Sequence, residues 1–289
     1  MITGSFVELV TPLAADRAPD YAALEGLVDW HATEGSAALI VGTASSGAVD
    51  LDPETRAELL RRAVWQAEDR LAILADIGTP DVAAALEIAE IAADVGVSAL
   101  LLTVPSTVDL TQADLLRHVE RIAEDAALPL FVRNRFDRPS PPAAAGVAGL
   151  GRMQGIAGFV ECSADASRAR ELLGIQRSPD FQLLVGIDEL ACRLVLDGFS
   201  GAVSVTANIA PGPVSRMIAA ARAGDIAGAE SIDMSLRPLY PMLLGDAGGP
   251  AVRWALSELG RLPEHPSRSL RTGDYADLRR AMRAAQILG

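Results

Sequence analysis

Short apolar runs alternate with longer amphipathic segments from Ser5 to Val205. Eight of these runs are rich in β-branched or aliphatic residues, as buried strands are, and lie at Ser5–Val10, Ala37–Val41, Ala72–Ala75, Ala99–Thr103, Leu130–Arg133, Ile156–Glu161, Gln182–Val185 and Gly201–Val205. The segments between them have helical periodicity, as at Tyr21–Glu34, Pro53–Glu68, Pro80–Val95 and Gln112–Ala126. Parallel strands joined by crossover helices predict an α/β fold, the (β/α)8 TIM barrel.

After the eighth run the pattern changes to helices alone. These helices are predicted at Pro213–Ala223, Ile226–Leu243, Gly249–Leu259 and Tyr275–Leu288. The tail is too long to be only the last helix of a barrel, so we expect a C-terminal helical appendage. The predicted division is a barrel over residues 1–224 and a helical region over 225–289 that packs on the barrel.

Composition narrows the class of protein. A hydrophobic content of 50% with 22% charged residues predicts a globular protein with a large core. The net charge of −13 argues against a nucleic-acid partner, because binding phosphates requires a basic surface. Neither a membrane-spanning run nor a leader pattern in MITGSFVELV is visible, so we expect a soluble, cytoplasmic protein without a membrane partner. We expect Cys162 and Cys192 to be free, buried thiols.

All 25 basic side chains are arginine, so the chain contains no lysine. Arginine and alanine are abundant throughout, which is typical of GC-rich genomes, where drift alone replaces surface lysines. The absence matters for chemistry only at a position that needs a neutral amine. A guanidinium stays protonated and offers no lone pair to attack a carbonyl, so arginine does not replace lysine there.

Several segments resemble the dihydrodipicolinate synthase / N-acetylneuraminate lyase family, and they follow the family order over nearly the whole chain. They are the opening ITGSFVELVTP, Val41-Gly42-Thr43, Gly186-Ile187-Asp188, Gly201–Asn208 and the helix segment GPAVRWALSELG. The resemblance implies a barrel whose members form a lysine imine with a 2-oxo acid. It also implies a homodimer or homotetramer, because family members are commonly dimers or dimers of dimers.

The catalytic residues of the family do not carry over. Where the family's sixth strand ends Ile-Lys-Glu, this chain has Phe159-Val160-Glu161, so valine stands at the imine position. The fifth strand, which usually ends Tyr-Asn, ends here in Arg133-Asn134. The second tyrosine of the family's proton relay corresponds to Thr107. Arg138 matches an arginine that binds a substrate carboxylate in the synthase branch.

Strand alternation predicts which side chains enter the mouth of the barrel. Val160 and Arg133 are expected to point inward, and Glu161 toward the helices. Arg133 would then hold a carboxylate through two hydrogen bonds or stabilise a developing oxyanion. The alternative is that Arg133 pairs internally with a carboxylate such as Asp188 or Asp76.

The remaining site residues follow from strand ends and loops. The predicted catalytic residues are Arg133 and Asp188, and the predicted substrate-binding residues are Thr43, Ser45, Ser46, Asn134, Arg138, Val160 and Val203. Asp76 is a further candidate base, and both aspartates have helix N-capping as the alternative. The serines have an ordinary turn as theirs.

Other chemistry finds less support. Cys162 is a candidate nucleophile, with a buried structural thiol as the alternative. We expect no metal and no cofactor, because His31, His118 and His265 lie away from the strand ends. A serine-hydrolase triad is unsupported for the same reason.

Two classes of function stay open. In the first, a lysine-independent lyase, dehydratase, isomerase or cyclase binds a small oxo or carboxylic acid through arginines and moves protons with Asp188 or water. In the second, an inactive paralogue binds a metabolite or pairs with an active subunit. Arg133, Asn134, Arg135 and Arg138 give a cationic mouth that costs stability unless it is occupied or paired, which favours a small anionic metabolite as the partner.

Overall fold

Eight parallel strands form a closed barrel in chain order, with the last strand paired to the first. The computed structural model describes residues 1–14, 16–43, 51–79, 81–103, 112–134, 143–175, 180–244, 249–263 and 272–288. The strands are β1 Gly4–Glu8, β2 Ala38–Val41, β3 Ala72–Asp76, β4 Ala99–Thr103, β5 Leu130–Arg133, β6 Ile156–Glu161, β7 Gln182–Val185 and β8 Gly201–Ser204. The predicted TIM barrel is confirmed.

A helix follows each strand. These helices are α1 Tyr21–Thr33, α2 Pro53–Ala67, α3 Val82–Asp94, α4 Gln112–Asp125, α5 Ala144–Leu150, α6 Ala166–Gly174, α7 Asp188–Leu196 and α8 Pro211–Arg222. Aspartate caps several helix starts: the carboxylate of Asp20 accepts from Ala23 N and that of Asp52 from Thr55 N. These caps satisfy amides that have no partner inside the helix, so the helices begin at defined residues.

The C-terminal region adds α9 Ile226–Leu236, α10 Tyr240–Leu244, α11 Pro250–Glu258 and α12 Thr272–Ala284. The prediction of one helix over Ile226–Leu243 was wrong, because Pro238 lies between α9 and α10. Proline has no N–H to donate to the carbonyl four residues earlier, so the helical hydrogen bonds stop there and the first helix ends. Leu243 and Leu256 are fully buried in the same core cluster as the barrel's outer face, so these helices pack on the barrel. The boundary at residue 224 stays a prediction.

The strands separate two apolar layers. Outward side chains such as Val7, Leu39 and Val132 pack under the helices. Inward side chains form a second cluster inside the barrel, made of Phe6, Ala38, Ile40, Leu74, Ala99, Leu101, Phe131, Val160, Cys162, Leu184 and Val203. The predicted inward direction of Val160 and the free, buried state of Cys162 and Cys192 are confirmed.

Across the described ranges, every helix is too short or too polar to cross a lipid bilayer.

Gly201 makes the closest backbone approach at the seam between β8 and β1. A Cβ there would lie 2.1 Å from the carbonyl oxygen of Gly4. Gly201→Ala should therefore destabilise the protein by about 3 kcal/mol, because strand backbone cannot move aside as a flexible side chain can. Urea unfolding measures the effect.

Gly26→Ala is the matched control, because Gly26 lies within α1 and has open space around it. It should be neutral or stabilising by about 0.5–1 kcal/mol. Equal stabilities for the two alanine variants would contradict the tight seam.

Candidate active site

A buried ionic network lies at the carboxyl ends of the strands, above the apolar interior. Nη1 of Arg133 donates to Oε2 of Glu8 at 2.8 Å, and Nε donates to Oγ1 of Thr103 at 3.0 Å. Nη2 of Arg133 lies 3.7 Å from Oδ2 of Asp76. The three charged side chains are only 12%, 11% and 6% exposed for Arg133, Glu8 and Asp76. We call Glu8, Asp76, Thr103 and Arg133 the mouth network.

Strand geometry brings these four residues together. Each ends or nearly ends its strand and lies two positions beyond an interior residue, as Glu8 follows Phe6 and Arg133 follows Phe131, so alternation turns it inward. Thr103 is directly paired with Arg133 between β4 and β5. In TIM barrels this face is where ligands bind.

The backbone after β3 fixes the second carboxylate. Oδ1 of Asp76 accepts from the amide of Gly78 at 3.0 Å and from Oγ1 of Thr103 at 3.4 Å. A Cβ at Gly78 would lie 2.9 Å from that of Thr103, so the close turn requires glycine. The carboxylate is therefore held in place by backbone as well as by side chains.

Burial and charge shift the pKa values in opposite ways. Removal from water raises the pKa of Asp76 above its usual value, and Arg133 offsets only part of this. For Arg133, burial lowers the pKa, but Glu8 and Asp76 outweigh burial and raise it. The guanidinium is therefore always charged, and Asp76 is the group in the network whose proton is held more tightly than usual.

Apolar side chains lie next to the network inside the barrel. Val160 is completely buried and is directly paired with Arg133 in the register of β5 and β6. Cys162 is buried close to Gly186, where an added Cβ would lie 2.3 Å from its Sγ. Electrostatic interaction links Cys162 to Arg133. The nucleophilic role of Cys162 stays a prediction.

Asn134 belongs to a second network outside the barrel. Its Nδ2 donates to Oε1 of Glu161 at 2.9 Å, and its Oδ1 accepts from the amide of Cys162 at 2.8 Å. Glu161 also pairs with Nε of Arg168 at 2.7 Å. The expectation that Glu161 turns toward the helices is confirmed. Asn134 fastens the end of β5 to that of β6, and its role in binding substrate stays a prediction.

Asp188 is the first residue of α7 and is buried. Its Oδ2 accepts from the amide and the hydroxyl of Thr206 at 2.9 and 2.7 Å. Burial raises its pKa despite these bonds. The alternative that Arg133 pairs internally is confirmed for Asp76, with Glu8 as an additional partner, and is wrong for Asp188. The catalytic role of Asp188 stays a prediction.

The N-capping alternative was wrong for both aspartates. Ile187 is the N-cap of α7, and Asp81 caps α3. Asp76, the last residue of β3, instead accepts hydrogen bonds from Gly78 and Thr103, and Asp188, the first residue of α7, accepts them from Thr206.

Other predicted residues have simpler outcomes. Thr43 is completely buried at the end of β2, and Val203 lines the barrel interior. His31 lies buried on α1, away from the strand ends as expected. Several residues named in the sequence analysis lie outside the described residues. They are Ser45, Ser46, Thr107, Arg135, Arg138 and His265.

Groups of three or more metal-binding side chains are absent from the part of the chain that the structure describes. The expectations of no metal and no cofactor stay predictions.

Sequence reasoning missed Glu8 and Thr103. A signal for Glu8 was present, because alternation from the apolar Phe6 places an acidic side chain inside the barrel at the end of β1. A buried carboxylate needs a cation, and Arg133 was the inward arginine available. Neither the glutamate nor the arginine by itself indicated that Glu8 and Arg133 form an ion pair.

The fold and the network at its carboxyl face define a TIM-barrel protein with a buried, charged mouth. The Dihydrodipicolinate synthetase family model matches residues 1–284, and the chain belongs to this family. It is 37% identical to a 4-hydroxy-tetrahydrodipicolinate synthase of Pseudomonas aeruginosa over 297 aligned positions that cover 100% of both chains. A synthase of the same name from Cellvibrio japonicus is 36% identical over 262 positions, or 90% of each chain.

A solved structure shows the same likeness. The dihydrodipicolinate synthase of Acinetobacter baumannii, complexed with pyruvate, superposes with a TM-score of 0.91 and 30% identity over 100% of both chains. The resemblance inferred from the sequence motifs is therefore confirmed at the level of family and fold.

Arg133→Met should leave two buried carboxylates without their cation. We expect a loss of about 3–5 kcal/mol in the free energy of unfolding near pH 8. Without the guanidinium, burial raises the pKa of Asp76 further, so its protonated form adds stability at low pH that is lost as the pH rises through the folded pKa. The loss should therefore be smaller near pH 5. Urea unfolding of variant and wild type at both pH values measures it.

Arg70→Met is the control, because Arg70 pairs with Asp29 at the surface with 40% and 49% exposure. It should cost less than about 1 kcal/mol at either pH. A pH-independent loss for Arg133→Met would contradict the buried ionic network.

Proposed function

We propose that this family member is a lysine-independent enzyme that binds a small oxo or carboxylic acid without forming an imine. The reaction classes compatible with such a site are those of a lyase, dehydratase, isomerase or cyclase. The ligand would be held by charge and hydrogen bonds at the barrel mouth, with Arg133 polarising a carbonyl or stabilising an oxyanion.

One observation carries the proposal. Val160 occupies the interior of the barrel at the position where the family resemblance places the imine-forming lysine. Valine has no nucleophile, and the chain contains no lysine elsewhere to take its place. The relatives are named synthases, and the chemistry of this family as described above requires that amine. The same fold therefore needs another means of holding a carbonyl compound here.

The charged side chains at the mouth favour a ligand-binding site over a mouth that is merely filled by side chains. An apolar plug would be cheaper to bury than Glu8, Asp76 and Arg133, because each charge loses hydration on folding. Arg133 has N–H groups beyond the two that bond to Glu8 and Thr103, so a ligand oxygen has donors to bind. The cost of the network is consistent with a role in binding.

A second candidate function is an inactive paralogue that acts as a regulatory or structural partner. The observation in its favour is the pairing of Arg133 with Glu8 at 2.8 Å. A guanidinium already neutralised by protein carboxylates is stable without any bound anion. This candidate predicts no ligand response from the mouth.

Pyruvate with borohydride separates imine from non-imine chemistry. We expect the intact mass of the protein to stay unchanged, because no amine stands in the barrel to be trapped. The Acinetobacter baumannii synthase, which was crystallised with pyruvate, is the positive control. A covalent adduct on this chain would overturn the proposal.

A thermal-shift screen of small mono- and dicarboxylates then tests binding. A ligand at 100 times its Kd should stabilise the folded protein by about 2.7 kcal/mol. The double variant Glu8→Gln/Arg133→Met removes the ion pair without leaving Glu8 charged and should abolish the shift. Arg70→Met should retain it. A shift that survives in the double variant would place the ligand elsewhere, and no shift in the wild type would favour the inactive paralogue.

A further inference from the structure

The two carboxylates of the mouth network are not equivalent. Glu8 forms a direct hydrogen bond with Arg133 at 2.8 Å, whereas Asp76 lies 3.7 Å from the same guanidinium. The longer separation exceeds hydrogen-bonding distance, so Asp76 interacts with the positive charge electrostatically but forms no hydrogen bond with it. One carboxylate is the counterion of Arg133, and the other is available for different chemistry.

The hydrogen bonds of Asp76 also indicate that this carboxylate differs from Glu8. Both bonds are accepted by one oxygen, Oδ1, from Gly78 N and from Thr103 Oγ1. Within the described part of the chain, the contact of Oδ2 is with Nη2 of Arg133, at 3.7 Å. The backbone therefore fixes the position of the carboxyl group, while its second oxygen keeps the capacity to bind or release a proton.

Burial and neighbouring charges both act on the pKa of Asp76. Charged and titratable groups near Asp76 are Glu8 on β1, Arg56 on α2 and Arg133 on β5, and Cys162, which directly follows β6, interacts electrostatically with Arg133. Burial and Glu8 raise the pKa of Asp76, and the two arginines with the Gly78 amide limit the rise. A carboxyl whose pKa is raised toward neutrality is a better base for carbon acids than an ordinary surface aspartate.

We propose that Asp76 is a catalytic residue of this mouth, the base that removes a proton from the carbon next to the carbonyl of a bound 2-oxo acid. This inference rests on the proposed function and adds the group that moves the proton. It gives Asp76 the role for which the sequence suggested Asp188, which bonds to Thr206 instead.

The step is a balanced proton transfer. Oδ2 of ionised Asp76 forms an O–H bond as the C–H bond breaks, and the C–H electron pair becomes the C=C bond of an enolate. The carbonyl π electrons move to oxygen, where the negative charge faces the remaining N–H groups of Arg133. Return of the proton from Asp76 to carbon restores the carboxylate and the ketone. In D2O the O–H of Asp76 exchanges with solvent to O–D before the return, so that carbon receives a deuteron.

The ionisation of Asp76 is measured first, in the wild-type protein. Carboxyl-13C aspartate labelling gives a titration in which the signal missing from Asp76→Asn identifies Asp76. We expect a pKa clearly above the ordinary value of about 3.9. A value at or below the ordinary one would overturn the proposal, because the network would then be holding Asp76 ionised as a second counterion.

Hydrogen exchange measures the transfer itself. The methyl protons of pyruvate in D2O should exchange faster with wild-type protein than in buffer. Asp76→Asn should reduce the protein-catalysed rate about 100-fold or more while the pyruvate thermal shift remains. Asp76→Glu should restore part of the rate. Asp29→Asn, which changes an exposed aspartate on α1, should leave the rate unchanged.

The outcomes distinguish this inference from the proposed function. Pyruvate that stabilises the protein but is not exchanged, or exchange that survives in Asp76→Asn, overturns the role of Asp76 and leaves ligand binding intact. Pyruvate that produces neither stabilisation nor exchange counts against both.

Discussion

The pairing of Arg133 with Glu8 inside the barrel mouth is the interaction on which the site depends. Taking either charge out of water alone costs several kcal/mol, so each requires the other once the strands turn them inward. The hydrogen bond of 2.8 Å between them satisfies that requirement. It also leaves Asp76 as the second carboxylate, next to the cation without being bonded to it.

The fold explains why these residues meet although they are far apart in sequence. In a closed parallel barrel, neighbouring strands bring their carboxyl ends to one face, and alternation decides which side chains enter the interior. Glu8, Asp76, Thr103 and Arg133 each occupy an inward position at that face. The network is itself buried next to the apolar interior cluster that contains Val160, and its low exposure to water strengthens its electrostatic interactions. The same geometry that supports imine chemistry in a lysine-containing barrel supports an ionic site here.

The sequence was sufficient to predict where the strands lie, but it predicted the contacts of the site residues less well. All eight strands were predicted with ends within two residues of those observed, because short apolar runs bounded by turns are a strong signal. The helix over Ile226–Leu243 was drawn too long because its periodicity continues across Pro238. Alternation placed Val160, Glu161 and Arg133 on the correct faces.

Partner choice was harder to predict, for a physical reason. Periodicity gives the face on which a side chain lies, but the length of an arginine lets it reach several strand ends. Asp188 and Asp76 both follow strands and looked equivalent, yet only Asp76 closes on Arg133. Asp188 is the first residue of α7 and accepts hydrogen bonds from Thr206. The path of the chain around each aspartate, and not the residue type, decides which partner it reaches. Glu8 was overlooked because an acidic residue at the end of an apolar strand resembles an ordinary exposed end.

The central claim is that the mouth holds a carbonyl ligand by charge and hydrogen bonds, with no covalent bond to the protein. The most direct measurement is the 13C spectrum of [2-13C]pyruvate bound to the wild-type protein. The account predicts a bound resonance in the ketone or hydrate region that returns to the free position on dilution. A resonance in the imine region that persists after removal of free pyruvate would contradict it.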